Sequence, residues 1–350
     1  MILLKERSVG LDLVRSIAIL LVLFSHSVMQ TVSGVPIGMI GVEIFFVLSG
    51  FLIGQILVKD FMNGITLKGL FRFWIRRWMR TLPIYYIIIL LKFIIIDSSL
   101  GGKIFVYFFF LQNNFIGIDF YPVSWSLVIE EWFYLLLPIG ILIFFKKGIS
   151  DRKEKFIVFL VACIIVINIA RFLWVLYSNR SFGGIFANVP FRLDSLLTGV
   201  LAAAVKIIFP SVYKNRWQNK YTLMSGLFLF IILVSAFGYS CMHLNVNSLL
   251  WTRTVWFFLI SFSFALMIPY IDYSFTRKVN FLTKAITWVS LISYSLYLLH
   301  PFIYQYAPRT GNLIIDFIIV HTLLFVVCTL SYRYIEKPVM NLREKIKICA

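Results

Sequence analysis

Three ionisable residues stand where an unbroken apolar helix is expected. Asp12, Arg15 and His26 lie in Gly10-Leu-Asp-Leu-Val-Arg-Ser-Ile-Ala-Ile-Leu-Leu-Val-Leu-Phe-Ser-His26. At about 100° per residue, the step from Arg15 to His26 is three turns plus ~20°. A helix therefore shows both on one face, ~16 Å apart. Asp12 lies one turn before Arg15, within pairing distance. The stripe offers a cation near one membrane face and an imidazole deeper towards the other. An imidazole with a carboxylate neighbour can take a proton from a hydroxyl. A packing histidine and an interfacial arginine are the plainer reading of the same residues.

Other apolar runs carry similar groups. Glu43 lies in Gly41-Val-Glu-Ile-Phe-Phe-Val-Leu-Ser-Gly-Phe, and Glu130 and Glu131 in Trp125-Ser-Leu-Val-Ile-Glu-Glu-Trp-Phe-Tyr. Arg192 and Asp194 open one run, and His300 ends the apolar part of another, in Ser293-Tyr-Ser-Leu-Tyr-Leu-Leu-His-Pro. Ionisable groups at membrane depth are costly and mark function by default. Acids, bases and hydroxyls at one depth, in the outer half, suggest a polar cavity. Glu–Arg pairs that hold helices together would use the same residues.

The elements that must position these groups are membrane helices. The 350 residues are 61% hydrophobic and 14% charged, with a mean hydropathy of +0.91. Runs of about 20 apolar residues match the ~30 Å of hydrocarbon to be crossed. Lipid offers the backbone no hydrogen-bond partners, so the runs must be helical. They are too continuous for a membrane β-barrel. The expected fold is an all-α polytopic bundle forming one domain. Its ten spans fall near 9–32, 37–58, 82–97, 126–145, 156–177, 193–209, 222–239, 251–270, 285–304 and 313–333. The short stretch Ile104 to Leu111 reads as a re-entrant or interfacial helix. The N-terminal run lacks a small-residue cleavage site and reads as an uncleaved first helix.

Charge placement supports this count. With the N-terminus inside, 25 of the 33 basic residues fall in cytoplasmic segments, as the positive-inside rule requires. These include Lys5, Arg7 and the stretches Lys59–Arg80, Arg277–Lys284 and Arg333–Lys347. Both termini are thus expected in the cytoplasm. The net charge of +18 is explained by topology, with no nucleic-acid partner required. Four scattered cysteines, Cys163, Cys241, Cys328 and Cys349, form neither a metal pattern nor a disulfide framework.

From about Ile65 to Thr81, Phe71, Trp74, Ile75 and Trp78 fall at helical spacing, with Arg72, Arg76 and Arg80 in a second row. This predicts an amphipathic helix on the cytoplasmic face. Its arginines suit anionic lipid headgroups or the phosphates of a soluble donor. His321, alone in the last span, and His243, in an outer loop, carry little; Lys92 and Arg171, near outer helix ends, can snorkel. Glu336-Lys337-Pro338 is expected to end the last helix.

Together these segments resemble the membrane acyltransferase 3 family over nearly the whole chain. The motifs appear in order: Asp12-x-x-Arg15 with His26 after ten intervening residues; Phe45-Phe46-Val-Leu-Ser49-Gly50-Phe51; Arg76-Arg77-x-x-Arg80 with Pro83; Ser126-Leu127 with Glu130-Glu131 and Phe133-Tyr134; Arg192-x-Asp194; Ser293-Tyr-Ser-Leu-Tyr297 with His300-Pro301; and Glu336-x-Pro338. The resemblance implies a ten-helix bundle in the bacterial cytoplasmic membrane. It also implies transfer of an acyl group, usually acetyl, from cytoplasmic acyl-CoA to a hydroxyl of a surface or lipid-linked glycan. Acetyl-CoA would be a co-substrate, not a bound cofactor. The family's essential histidine and arginine fall on His26 and Arg15, and its arginine cluster on Arg76, Arg77 and Arg80. Some members carry a fused soluble domain; this chain is expected to act without one, alone or with a separate partner.

On this reading the donor phosphates dock on Arg76, Arg77 and Arg80, with Arg15 further in. His26 then acts on a sugar hydroxyl as general base, or by way of an acyl-histidine. Glu43, Glu130 or Glu131 would orient its ring, and Trp125, Arg192, Asp194 and His300 would hold substrate. A secondary transporter is the rival, but it would show an inverted repeat and helices broken at the midplane. A polyprenyl-sugar glycosyltransferase would need larger outer loops.

Overall fold

The computed structural model describes residues 8–27, 37–178, 180–275 and 280–345. Lys5, Arg7, Arg277, Lys278, Lys347 and Cys349, together with 28–32 of the expected first span, lie outside the described residues. The described chain is an all-α, multi-pass membrane bundle. Its helices are α1 (Val9–His26), α2 (Ile37–Asp60), α3 (Leu67–Leu91), α4 (Trp125–Phe145), α5 (Lys153–Ser178), α6 (Leu193–Ile208), α7 (Lys220–His243), α8 (Trp256–Ser274), α9 (Phe281–Tyr306), α10 (Leu313–Ser331) and α11 (Lys337–Lys345). Among the described residues, nine helices are long and apolar enough to cross a bilayer alone. The tenth, α6, runs into Pro210–Trp217 through a bend of 106°.

Polar side chains set several helix starts. Ser8 accepts from the amide of Leu11 at the start of α1, and Thr66 accepts from Gly69 at the start of α3. Asn280 and Thr283 cap α9 reciprocally. Each satisfies amides that the first helical turn leaves without partners.

The core is built by close backbone approach. A Cβ on Gly50 of α2 would strike the Leu196 carbonyl of α6, and one on Gly199 of α6 would strike the Val47 carbonyl of α2. Without a hydrophobic drive between helices in lipid, such small residues let two backbones meet.

Loop contacts sort the helix ends into two sets. The Ile65 amide donates to the Lys146 carbonyl, and the Ile149 amide to Met62. Lys206 pairs with Asp272 at 2.6 Å. These define the end we call basic. At the opposite end, Arg253 donates to the Arg180 carbonyl at 2.9 Å, and the Phe182 amide to Asn247 at 2.9 Å.

Three expectations change. The surface helix and the third span are one rod, Leu67–Ile96 of 30 residues, so the arginine row is the projecting start of a span. At 1.5 Å per residue the rod is ~45 Å long, more than the hydrocarbon needs. Pro338 does not end the last helix. A π-helical turn at Tyr332–Glu336 leads straight into α11. Pro338 is the second residue of α11, directly after that π-helical turn. Arg171 does not snorkel, because it is fully buried. The piece Ile104–Phe108 is five residues, too short to cross.

Candidate active site

A cavity of about 760 Å³ opens near the basic end. Its mouth carries Lys59, Asp60, Gly64 and Thr66, its wall Arg15, Arg72, Arg76, Arg77 and Arg80, and its interior Ser126, Tyr294 and Tyr297. The length of α3 explains how one helix supplies four of these arginines. Arg77 is ten residues into the rod, ~15 Å from its start. There it meets Glu130 of α4 at 3.1 Å and donates to the Tyr134 hydroxyl at 2.5 Å. Tyr134 in turn donates to Glu130 at 2.7 Å. Arg15 donates to Ser290 at 3.0 Å and pairs with Asp12 at 3.5 Å, so α1 is fixed against α9 beside the cavity.

His26 lines a second, smaller cavity of about 230 Å³, with Ser27, Tyr304, Arg309, Phe317, Val320 and His321. Its Nδ1 lies 2.9 Å from the Val22 carbonyl. A carbonyl only accepts, so Nδ1 carries the proton and Nε2 keeps its lone pair. The His26 and His300 rings are 4.9 Å apart. His300 lies 6.1 Å from the Tyr297 ring and 5.7 Å from the Tyr304 ring. Tyr297 faces the large cavity and Tyr304 the small one. One layer of side chains, with His300 at its centre, separates the two.

Arg15 and His26 thus share a helix face as expected, but they open into different cavities. The acids do not gather around His26. Glu43 is ion-paired with Arg192 and accepts from Ser195 at 3.0 Å and Ser261 at 3.1 Å. Asp194 pairs with Arg171 at 2.9 Å and accepts from Asn168 at 3.2 Å. All four charged residues are buried, a clamp joining α2, α5, α6 and α8. Glu131 accepts from Thr81 at 2.8 Å. Glu130 and Glu131 therefore meet the arginine helix, not the depth of His26. Trp125 packs its ring edge-on against Phe46 and Phe186. The His26 ring is set by Val22 and His300 instead. Among the described residues, no group of histidines, cysteines and acids could hold a metal.

The comparisons with known proteins bear on this site. The acyltransferase domain family, acyltransferase 3, matches residues 8–333. The chain belongs to this family. It is 30% identical over 247 residues to a Staphylococcus aureus protein, strain COL, provisionally named an O-acetyltransferase; the match covers 65% of this chain and 40% of that protein. It is 35% identical over 156 residues to the peptidoglycan O-acetyltransferase OatA of Listeria monocytogenes, covering 39% of this chain and 24% of OatA. It is 32% identical over 251 residues to YrhL of Bacillus subtilis, provisionally named a peptidoglycan O-acetyltransferase, covering 64% and 38%. The chain thus spans at most about 40% of these relatives. No solved structure matches the chain.

Within this acyltransferase 3 chain, the segments that carried the resemblance converge on the two cavities and the seams beside them. Ser49 shares a 2.5 Å hydrogen bond with Tyr134. Glu336 accepts from Ser295 in the core. Two site features escape the sequence. Tyr304 bonds His321 at 3.1 Å, so His321 is part of the small cavity and not simply packed. Its signal was Tyr304 itself, four residues after His300 and so on the same face of α9. Arg171 is the partner of Asp194, which only lateral helix order reveals.

Proposed function

We propose that the chain is a membrane O-acetyltransferase. It takes acetyl from acetyl-CoA bound in the large cavity, whose thioester reaches through to His26, and hands it to a hydroxyl of peptidoglycan or a similar glycan presented from the small one. The observation that carries this reading is the pair of cavities near opposite ends of the bundle, one layer of side chains apart, with a histidine base at the layer. The family and the names of its relatives supply the reaction class.

The donor side follows from charge. Lys59, Arg72, Arg76 and Arg80 around one opening suit a nucleotide's phosphates, since guanidinium groups bind phosphate in bidentate pairs. Arg15, in the same cavity, would meet the donor's pantetheine arm further in. The weight of basic residues supports a cytoplasmic position for this end, where acyl-CoA is found, with the small cavity then facing outwards.

The chemical step uses His26. Its Nδ1 proton is held by Val22, so Nε2 accepts the proton of the acceptor hydroxyl as that oxygen attacks the thioester carbonyl. The C–S bond breaks, and the CoA thiolate takes the proton back from the imidazolium.

The test uses membranes carrying the full chain, radiolabelled acetyl-CoA and soluble peptidoglycan oligosaccharides. Label should pass to the oligosaccharide with the wild type and not with His26→Asn. Equal transfer by both would sink the assignment of His26. Transfer by neither, with uptake of a small solute, would favour a transporter.

A further inference from the structure

His300 is completely buried. Its Nδ1 lies 3.1 Å from the Leu296 carbonyl, which fixes the proton on Nδ1, as Val22 does for His26. Its Nε2 is buried with no hydrogen-bond partner among the described residues. A buried polar atom left without a partner is destabilising and asks for an explanation. Packing does not supply one, since a phenyl ring would fill the same space at no such cost.

The surroundings narrow the explanation. The His26 ring, from α1, is 4.9 Å away. Its other ring neighbours among the described residues are Tyr297 and Tyr304 of its own helix. Among the described residues, no carboxylate is hydrogen-bonded to or paired with either imidazole. Both rings are held as the same tautomer, each with an Nε2 lone pair. The proton that His26 takes from an acceptor hydroxyl meets no carboxylate among the described residues, but the His300 ring, its centroid 4.9 Å away, offers a second lone pair within reach of one bridging water.

We infer that His300 is a positioning residue of the transfer step, sharing with His26 the proton taken from the acceptor hydroxyl until the thiolate receives it. This rests on the reading of His26 as base. The acceptor O–H bond breaks as the new C–O bond forms. The proton goes to His26 Nε2 and is shared with His300 Nε2. The C–S electron pair leaves on sulfur, and the proton returns to sulfur as the thiol. The sum is thioester plus alcohol giving ester plus thiol, with both histidines regenerated.

Two variants separate this role from packing. His300→Asn keeps a donor for the Leu296 carbonyl, and His300→Phe keeps a ring against His26; both remove the Nε2 lone pair. Membranes carrying each full-length chain are assayed with radiolabelled acetyl-CoA and soluble peptidoglycan oligosaccharides across pH. Elution in detergent checks that each variant is folded. Both should lower kcat by about tenfold or more and leave KM for acetyl-CoA unchanged. The pH–rate curve should change from that of a coupled pair to that of a single group. Unchanged kcat, or a drop by one factor at every pH with the curve's shape intact, overturns the inference. No transfer by the wild type would overturn the acetyl-transfer reading itself, a separable result.

Discussion

Arg77 and Glu130 meet at 3.1 Å although their helices enter the bundle from opposite ends. The pair sits in the wall of the large cavity, so it belongs both to the fold and to whatever occupies that space. Its neighbour Arg76 is exposed and lines the same cavity. The two arginines should therefore behave differently. Arg76→Ala should raise KM for acetyl-CoA several-fold and leave thermal unfolding in detergent where it was. Arg77→Ala takes the ion-pair partner from Glu130 and a donor from Tyr134, at a cost of about 1–3 kcal/mol, and should lower the unfolding temperature as well. Matching stability loss in both variants would mean that the division is wrong.

His26 offers a sharper comparison. Asparagine can still donate to the Val22 carbonyl, whereas it has no basic nitrogen. His26→Asn should lose ~10²-fold or more in kcat, the usual worth of a positioned base, while acetyl-CoA binding to purified protein stays the same. Loss of donor binding in this variant would show that the small cavity and the donor site are one.

The Glu43–Arg192 pair is expected to act on stability. Removing one partner of a buried ion pair costs about 3–5 kcal/mol, but replacing both with apolar residues is often tolerated. Glu43→Leu and Arg192→Met should each lower the unfolding temperature, and the double variant should recover much of the loss. Acetyl transfer per folded molecule by the double variant reads out the role. A stable but inactive double variant would return Glu43 to the chemistry.

Periodicity made the vertical arrangement legible. The Arg15–His26 stripe, the membrane helices and the basic end all follow from spacing and charge within single helices. Lateral neighbours were not legible, because depth along a helix says nothing about which helix stands beside it. Glu43 and Glu130 were read as companions of His26, and each instead meets an arginine on another helix. Arg77 was placed at the surface because the row of arginines looks amphipathic on its own; the rod's continuation past Pro83 carries it inwards. Pro338 alone predicts the end of the last helix, whereas the chain continues through a π-helical turn into α11.

The small cavity yields a prediction about the acceptor. Tyr304 and His321 are bonded to each other inside it. Tyr304→Phe and His321→Phe should raise KM for the oligosaccharide and leave KM for acetyl-CoA unchanged, because neither residue lines the large cavity. A rise in KM for the donor instead would place the two cavities' roles the other way round.

The single layer around Tyr297 and His300 has an electrical consequence. Water entering a cavity from each side carries the potential of that side inwards. Most of the voltage across the membrane then falls over a few ångströms of aromatic side chain, and not over the ~30 Å of hydrocarbon. A unit charge displaced through the whole of that layer does work of ~2.3 kcal/mol per 100 mV. A potential imposed across sealed vesicles should therefore speed or slow the reaction according to its sign, if the proton's path on the two imidazoles runs along the field. The layer that keeps the two compartments apart would then also act as the enzyme's voltmeter.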